Sequence, residues 1–238
     1  MALSPETNEA FLREVDEQVR LDTATRFWKR WGRIVIVAAI AALLGFAGYL
    51  WWNNQRQVNA GVEGEAMSLA LDDLTAGKTA KAEGELAKLA TSSTPGYEAS
   101  AKLALAASKL GKGDTKGATA DYAAVVADTS IAQPYRDLAL VRQVAASYDT
   151  MKPDEVIAKL KPLAVAGRPF FGSAGEMTAI AYLNMNKMRD AGAMFAALAK
   201  DEGVPESIRS RSVQLAGVLG VDANPAGATA DAKGGNGK

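Results

Sequence analysis

The run IVIVAAIAALLGFAGYLWW, Ile34 to Trp52, holds nineteen consecutive apolar or small residues. At about 1.5 Å rise per residue a helix of that length reaches roughly 28 Å, close to the ~30 Å hydrocarbon thickness of a bilayer. The uncharged stretch continues to Gln55, so the expected transmembrane helix is 34–55. Arg26, Lys29, Arg30 and Arg33 crowd its N-terminal side; beyond it stand Arg56 and then, not before residue 78, a lysine. Lys/Arg excess marks the cytoplasmic flank, which places residues 1–33 inside and the rest outside. Trp28 and Trp31 at one end, and Tyr49, Trp51 and Trp52 at the other, fit the aromatic belts of a membrane interface.

A cleaved signal peptide is the rival reading. It calls for a short basic lead, an apolar core of about 7–15 residues and a small-x-small exit. Here the lead carries six acids (Glu6, Glu9, Glu14, Asp16, Glu17 and Asp22), and the core exits through Tyr49-Leu50-Trp51-Trp52. A core helix of a soluble protein would rarely lack a polar face over such a length. A retained anchor is the expectation.

The remaining composition narrows the chemistry. Lysine plus arginine and aspartate plus glutamate number 27 each, which leaves no broad basic footprint for nucleic acid. Cysteine and histidine are absent. The chain therefore has no disulfide, no thiolate, no His general base and no Ser-His or Cys-His nucleophile. Abundant alanine, with few β-branched or aromatic residues outside the anchor, argues for closely packed helices.

In the lead, Phe11, Val15 and Val19 fall at i, i+4 and i+8 with Leu12 beside them, an amphipathic pattern suited to a membrane surface or a cytoplasmic partner, or to plain solvation. Beyond the anchor a larger period emerges. Pro95, Pro134, Pro169 and Pro205 are 39, 35 and 36 residues apart. Ahead of each comes a set at offsets 0, +4 and +7: Ala82/Leu86/Leu89, Ala118/Tyr122/Val125, Val156/Leu160/Leu163 and Ala191/Phe195/Leu198. These offsets put each set on one helical face. Another helical pattern, such as Leu138, Val141, Ala145 and Tyr148, lies between sets, joined to the next by a polar or Gly-containing turn: 76–78, 111–114, 150–152 and 184–186. Val156 is bulkier than its counterparts, which predicts a more open junction there.

A helix–turn–helix unit of this length with a small residue, a large apolar one and a closing proline resembles the tetratricopeptide repeat, although the signature aromatic and Leu-Gly pair are mostly missing and Tyr182 alone suits the later tyrosine. The expected fold is all-α: one transmembrane helix, then an α-solenoid of about four units over residues 56–220. A helix from about Pro205 to Leu219 caps it, with Ser207, Arg209, Ser210, Arg211 and Ser212 as its polar face. Residues 221–238, rich in Gly, Ala, Asn and Asp, are expected to form a disordered tail.

No catalytic, cofactor-binding or metal-binding residue is expected. The glycines of 111–117 lack phosphate-loop spacing and a preceding strand, so they read as a turn. Asp72-Asp73 is a lone acidic pair, too few oxygens for a cation. Binding candidates are Arg136, Arg142, Gln143 and Glu176, polar residues on the first helices that line the concave face of such an array, or else simply solvated. In the span, Ala38, Ala42 and Gly45 at i, i+4 and i+7 offer a small-residue face to another membrane helix; ordinary Ala/Gly richness is the alternative.

The layout as a whole, with Phe11-Leu12-Arg13-Glu14-Val15-Asp16-Glu17 and Trp28-Lys29-Arg30-Trp31-Gly32 in the lead, is similar to the ancillary SecYEG translocon subunit family (YfgM-like tetratricopeptide-repeat proteins of the bacterial inner membrane). The resemblance covers residues of about 6–220. It implies a non-enzymatic, single-pass inner-membrane protein with a cytoplasmic N-terminus and a periplasmic array. Its implied partners are the SecYEG translocon, a membrane-anchored periplasmic chaperone of the peptidyl-prolyl isomerase type, and exported polypeptides. A self-associating scaffold for envelope assembly or cell division is the alternative. An enzyme acting on cell-wall or lipid substrates would need the acidic cluster that the sequence lacks.

Overall fold

The computed structural model describes residues 5–223, with side chains from residue 29 onward. Among these residues the chain is helical and has no strand. The face expected from Phe11, Leu12, Val15 and Val19 falls on side chains outside the described residues, as do residues 224–238 of the expected tail. Two compact units divide the chain at Gly61/Val62.

The first unit is formed by helix α1, which runs Pro5–Thr75 and so continues into the second. Pro5 stands in its first turn, and no other proline follows before Pro95. Ala, Leu and Ile dominate its middle, and they sustain a helix well. From Ile34 to Trp52 every side chain is exposed; Leu43 and Leu44 are 67% and 69% accessible. An apolar surface of this extent is rare on soluble monomers, and the helix is long and apolar enough to serve as a single-pass membrane anchor.

The second unit starts with the last turns of α1 from Val62. It continues through α2 (Thr79–Leu89), α3 (Pro95–Gly111), α4 (Thr115–Ala127), α5 (Gln133–Ser147), a 3₁₀ turn (Tyr148–Thr150), α6 (Pro153–Leu160), α7 (Phe171–Asn184), α8 (Met188–Lys200) and α9 (Glu206–Val218). Local chemistry sets these ends. Pro95, Pro134 and Pro153 sit in the first turn of their helices, where a missing N–H costs nothing. The Asp114 carboxylate caps α4 by accepting the Gly117 N–H at 2.8 Å, and residues 112–114 form the turn between α3, which ends at Gly111, and α4, which contains Gly117. Gly77, Gly113 and Gly220 end helices with φ of 76°, 84° and 77°, a left-handed geometry that costs glycine little.

From α2 to α9 consecutive helices pack on one another, and α3 also touches α5, α5 touches α7 and α7 touches α9. First helices thus form one layer and second helices the other, as in a helical-repeat stack. All twelve residues of the four expected sets are buried, from Ala82 through Leu198. Each joins a cluster bridging neighbouring units: Leu86 with Met67 and Ala101, Tyr122 with Ala99 and Ala139, Leu160 with Val144 and Ala174, Phe195 with Phe171 and Ala216. At full burial each large side chain contributes about 1.5–3 kcal/mol through area removed from water.

The third unit departs from the others. Its second helix is only eight residues long, because Pro162 cannot extend it, so Leu163 is buried from beyond the helix end. Here α6 packs on α5 less extensively than α4 does on α3, in line with the bulk of Val156 and the short helix. The loop to α7 is held by Asp201, whose Oδ2 accepts the Gly167 N–H at 2.7 Å while its Oδ1 accepts the Gly203 N–H at 2.8 Å.

The cap differs from expectation in two places. Ser212 is not on the polar face of α9: it is 0% exposed, and its hydroxyl meets no partner. The packed array also does not stop at residue 220. Val221 donates its N–H to the Ala216 carbonyl at 2.9 Å, and Ala223 is 2% exposed in the terminal cluster. An unpaired buried hydroxyl carries a desolvation cost with no return. Ser212→Ala should therefore stabilise the array by about 1 kcal/mol, read as a higher denaturant midpoint. A lower midpoint would show that the hydroxyl is paired in solution.

Candidate partner-binding surfaces

On α1, Ala38, Ala42 and Gly45 are all exposed, and a Cβ built on Gly45 or Gly48 meets nothing within 4 Å. The small-residue face is sterically open. At the C-terminal end of the apolar stretch the Arg56 guanidinium lies over the Trp52 ring, 3.8 Å from its centroid, a cation–π contact at an aromatic interface residue.

The four candidates on the array have different surroundings. Arg136, in the first turn of α5, is half-buried; its Nη2 donates to Gln133 Oε1, and Gln133 Nε2 in turn donates to Asp137 Oδ1 at 2.6 Å. Its Nε is buried without an acceptor. Arg142 is exposed, and its charge only weakly opposes the burial that pushes the Tyr122 phenol up. Gln143 is buried. Glu176 on α7 accepts two hydrogen bonds from Arg211 on α9, at 2.6 Å from Nε and 2.9 Å from Nη2. That fork ties the cap to the preceding unit and uses both carboxylate oxygens. Arg142 and Gln143 are neighbours in sequence and so project about 100° apart around α5; the structure does not gather the four into one cluster.

Between α4 and α5 lies an open groove of about 500 Å³, lined by Thr115, Lys116, Thr119, Ala120, Ala123, Gln143, Ser147 and Thr150. A smaller hollow of about 310 Å³ lies between α3 and α4, with Leu105 and Val125 in its wall and Lys102, Asp121 and Asp128 at its rim.

Sequence reasoning missed the ion pairs that cross between helices, because their partners are far apart in the chain. Lys112 Nζ lies 2.7 Å from Glu83, which also accepts from Ser108 at 2.8 Å; Lys109 lies 2.6 Å from Asp121. Asp73 pairs with Lys81 at 2.8 Å and Lys78 at 3.5 Å, so it is an ion-pair partner rather than half of a cation site. Among the described residues no group of three or more acidic side chains could hold a metal ion.

Hydrogen bonds set the titration of these acids. That from Lys81 lowers Asp73, those from Lys112 and then Ser108 lower Glu83, and Ser130 lowers Asp128. A depressed folded-state value means the charged carboxylate favours folding. Its contribution is complete above the unfolded value of about 4 and is lost as pH falls through the lower folded values. With no histidine in the chain, melting temperature should be flat between about pH 6 and pH 8 and fall below about pH 4. A drop inside the flat window in a thermal melt would contradict this account.

A helical-repeat protein with paired layers, inter-unit cores and a small residue opening most of its second helices is the class these features define. Residues 25–216 match the tetratricopeptide repeat-like domain family, and the chain belongs to it. Repeat domains of this family are typically non-catalytic protein-interaction modules. No curated protein and no solved structure matches the chain.

Proposed function

We propose that this chain is a single-pass inner-membrane protein whose repeat array faces the periplasm and binds other polypeptides there. Its partners on this reading are the Sec translocon, a membrane-anchored chaperone and newly exported chains. The domain limits on this reading are 1–33 in the cytoplasm, 34–55 across the membrane, and 56–220 as the binding array with its packing carried on to Ala223, the residues beyond forming the tail. The observation that carries the proposal is the apolar surface of α1 from Ile34 to Trp52, wholly exposed on a chain whose other helices belong to an interaction fold. The cationic flank of Lys29, Arg30 and Arg33 favours a cytoplasmic N-terminus. The resemblance of the lead to translocon-associated proteins supports the choice of partners. The fork of Glu176 on Arg211 leaves Arg142 and Gln143 as the better-placed groove residues.

The test is crosslinking in native membranes from one probe in the span, at Ala42, and another in the array, at Arg142. A translocon subunit on the first and a periplasmic chaperone or exported chain on the second are expected. Recovery of neither, or a C-terminal reporter active in the cytoplasm, would overturn the reading.

A further inference from the structure

The last turns of α1 present large apolar side chains that no described part of the array covers. Val58, Val62 and Leu69 are 53%, 64% and 57% exposed. Register shows why. Thirteen residues before the residue that opens each set (Ala82, Ala118, Val156, Ala191) stand Leu69, Leu105, Gln143 and Thr178; twenty before stand Val62, Glu98, Arg136 and Phe171. The inner members of both rows are buried or half-buried, and the α1 members are exposed. Between them, seventeen before, stand Glu65, Ala101, Ala139 and Ala174. Each alanine packs with the second helix of the preceding unit: Ala101 with Leu86, Ala139 with Tyr122 and Ala174 with Leu160. Among the described residues no second helix precedes α1, so its equivalent face lies bare.

The spacing of that face points to its occupant. Val58, Val62, Glu65 and Leu69 follow at steps of four, three and four, the seven-residue period of a helix–helix seam. By sequence the same steps run back through Gln55, Trp51, Gly48, Leu44 and Ala41 on the same helix. The opposite side of α1 is already taken. Met67 and Leu74, about 120–160° round the helix from Val62 and Leu69, pack in the first core cluster. Tyr97 Oη stands 2.6 Å from where a Cβ on Gly64 would be, again on that side. The array therefore does not obstruct the seam. Asn59, Gly61, Ala66 and Ser68 flank it and carry no charge, so an identical helix meets no repulsion at the edges.

We propose that α1 pairs in parallel with α1 of a second copy of this chain along the seam of Val58, Val62 and Leu69. This rests on the reading of residues 34–55 as a span. Two copies that enter one membrane the same way present the same seam side by side, and the shared bilayer raises their effective concentration. Glu65 is the one charge in the stretch 58–69 of the seam. Two of them meet in the pair, a polar pairing that fixes register at a cost in stability. By sequence count Ala38, Ala42 and Gly45 fall on the opposite side of α1 from Val58, so pairing leaves that small-residue face open to a different membrane helix.

Because the chain has no cysteine, single cysteines report contacts without background. The experiment oxidises native membranes carrying the full chain with Val58→Cys, Val62→Cys or Leu69→Cys on the seam, or Gln57→Cys or Leu71→Cys, exposed positions off it. A disulfide-linked product of twice the chain's mass is expected at the three seam positions and about tenfold less at the other two, because a parallel seam brings equivalent Cα atoms within about 7 Å. Glu65→Leu combined with Val62→Cys should shift the detergent dilution at which half the solubilised chain is dimeric by about tenfold toward tighter pairing. Equal product at Gln57 or Leu71, no product on the seam, linkage of Val58→Cys to Leu69→Cys alone, a product holding a different protein, or a weaker pair with Glu65→Leu overturns the proposal. If the seam yields no dimer while probes at Ala42 and Arg142 still recover partners, the pairing falls and the function proposed above stands.

Discussion

Phe195→Ala is expected to destabilise the array by about 3–5 kcal/mol, the largest single-residue effect in its core. Phe195 is 0% exposed and packs with Phe171, Leu198 and Ala216, residues of α7, α8 and α9. Truncation would leave a hole that the backbone cannot close. The helices already meet at near contact: a Cβ on Gly175 would lie 2.9 Å from Leu198 Cδ2 and 3.0 Å from Phe171 Cε2. Because each repeat contacts only its neighbours, the loss should concentrate in the fourth unit and the cap. Hydrogen exchange would show α7 to α9 opening first, and denaturant unfolding would give the magnitude. A change under about 1 kcal/mol would mean that this cluster is not cooperatively folded.

The second large effect separates lipid from water. Leu43→Arg together with Leu44→Arg should drive the chain out of the membrane fraction, since each arginine costs about 2.5–3.5 kcal/mol at the centre of a span and each leucine removed forfeits a further few tenths. Both positions are more than half exposed, so on a helix facing water the same pair would be harmless. Carbonate extraction of membranes decides between them. If the double variant stays in the pellet as firmly as the parent, residues 34–55 do not span the bilayer.

The repeat period could be read from residue spacing because it follows from helix geometry. A small residue, a bulky one four later and another three after that must share a face, and all four such sets are buried. Ser212 could not be read in the same way. Its neighbours Arg211 and Ser210 are exposed, and only the crossing of α9 against the preceding unit decides which of three adjacent polar residues turns inward. The shortening of α6 was visible in Pro162, yet Leu163 kept the expected period and masked it. Of the candidate binding residues, type and helix were legible. Partnership was not: Glu176 meets Arg211 thirty-five positions away, and Gln143 turns inward while Arg142 beside it stays exposed.

The residues just after α9 have a practical meaning for anyone handling this protein. Val221 Cγ2 sits 2.7 Å from where a Cβ on Gly192 would be, so this short strap plugs a gap in α8 that glycine alone keeps open. A purification handle or a truncation placed at Val218 would unseat the plug and wet the underside of α8. Grafting at any point beyond Ala223 would leave it in place.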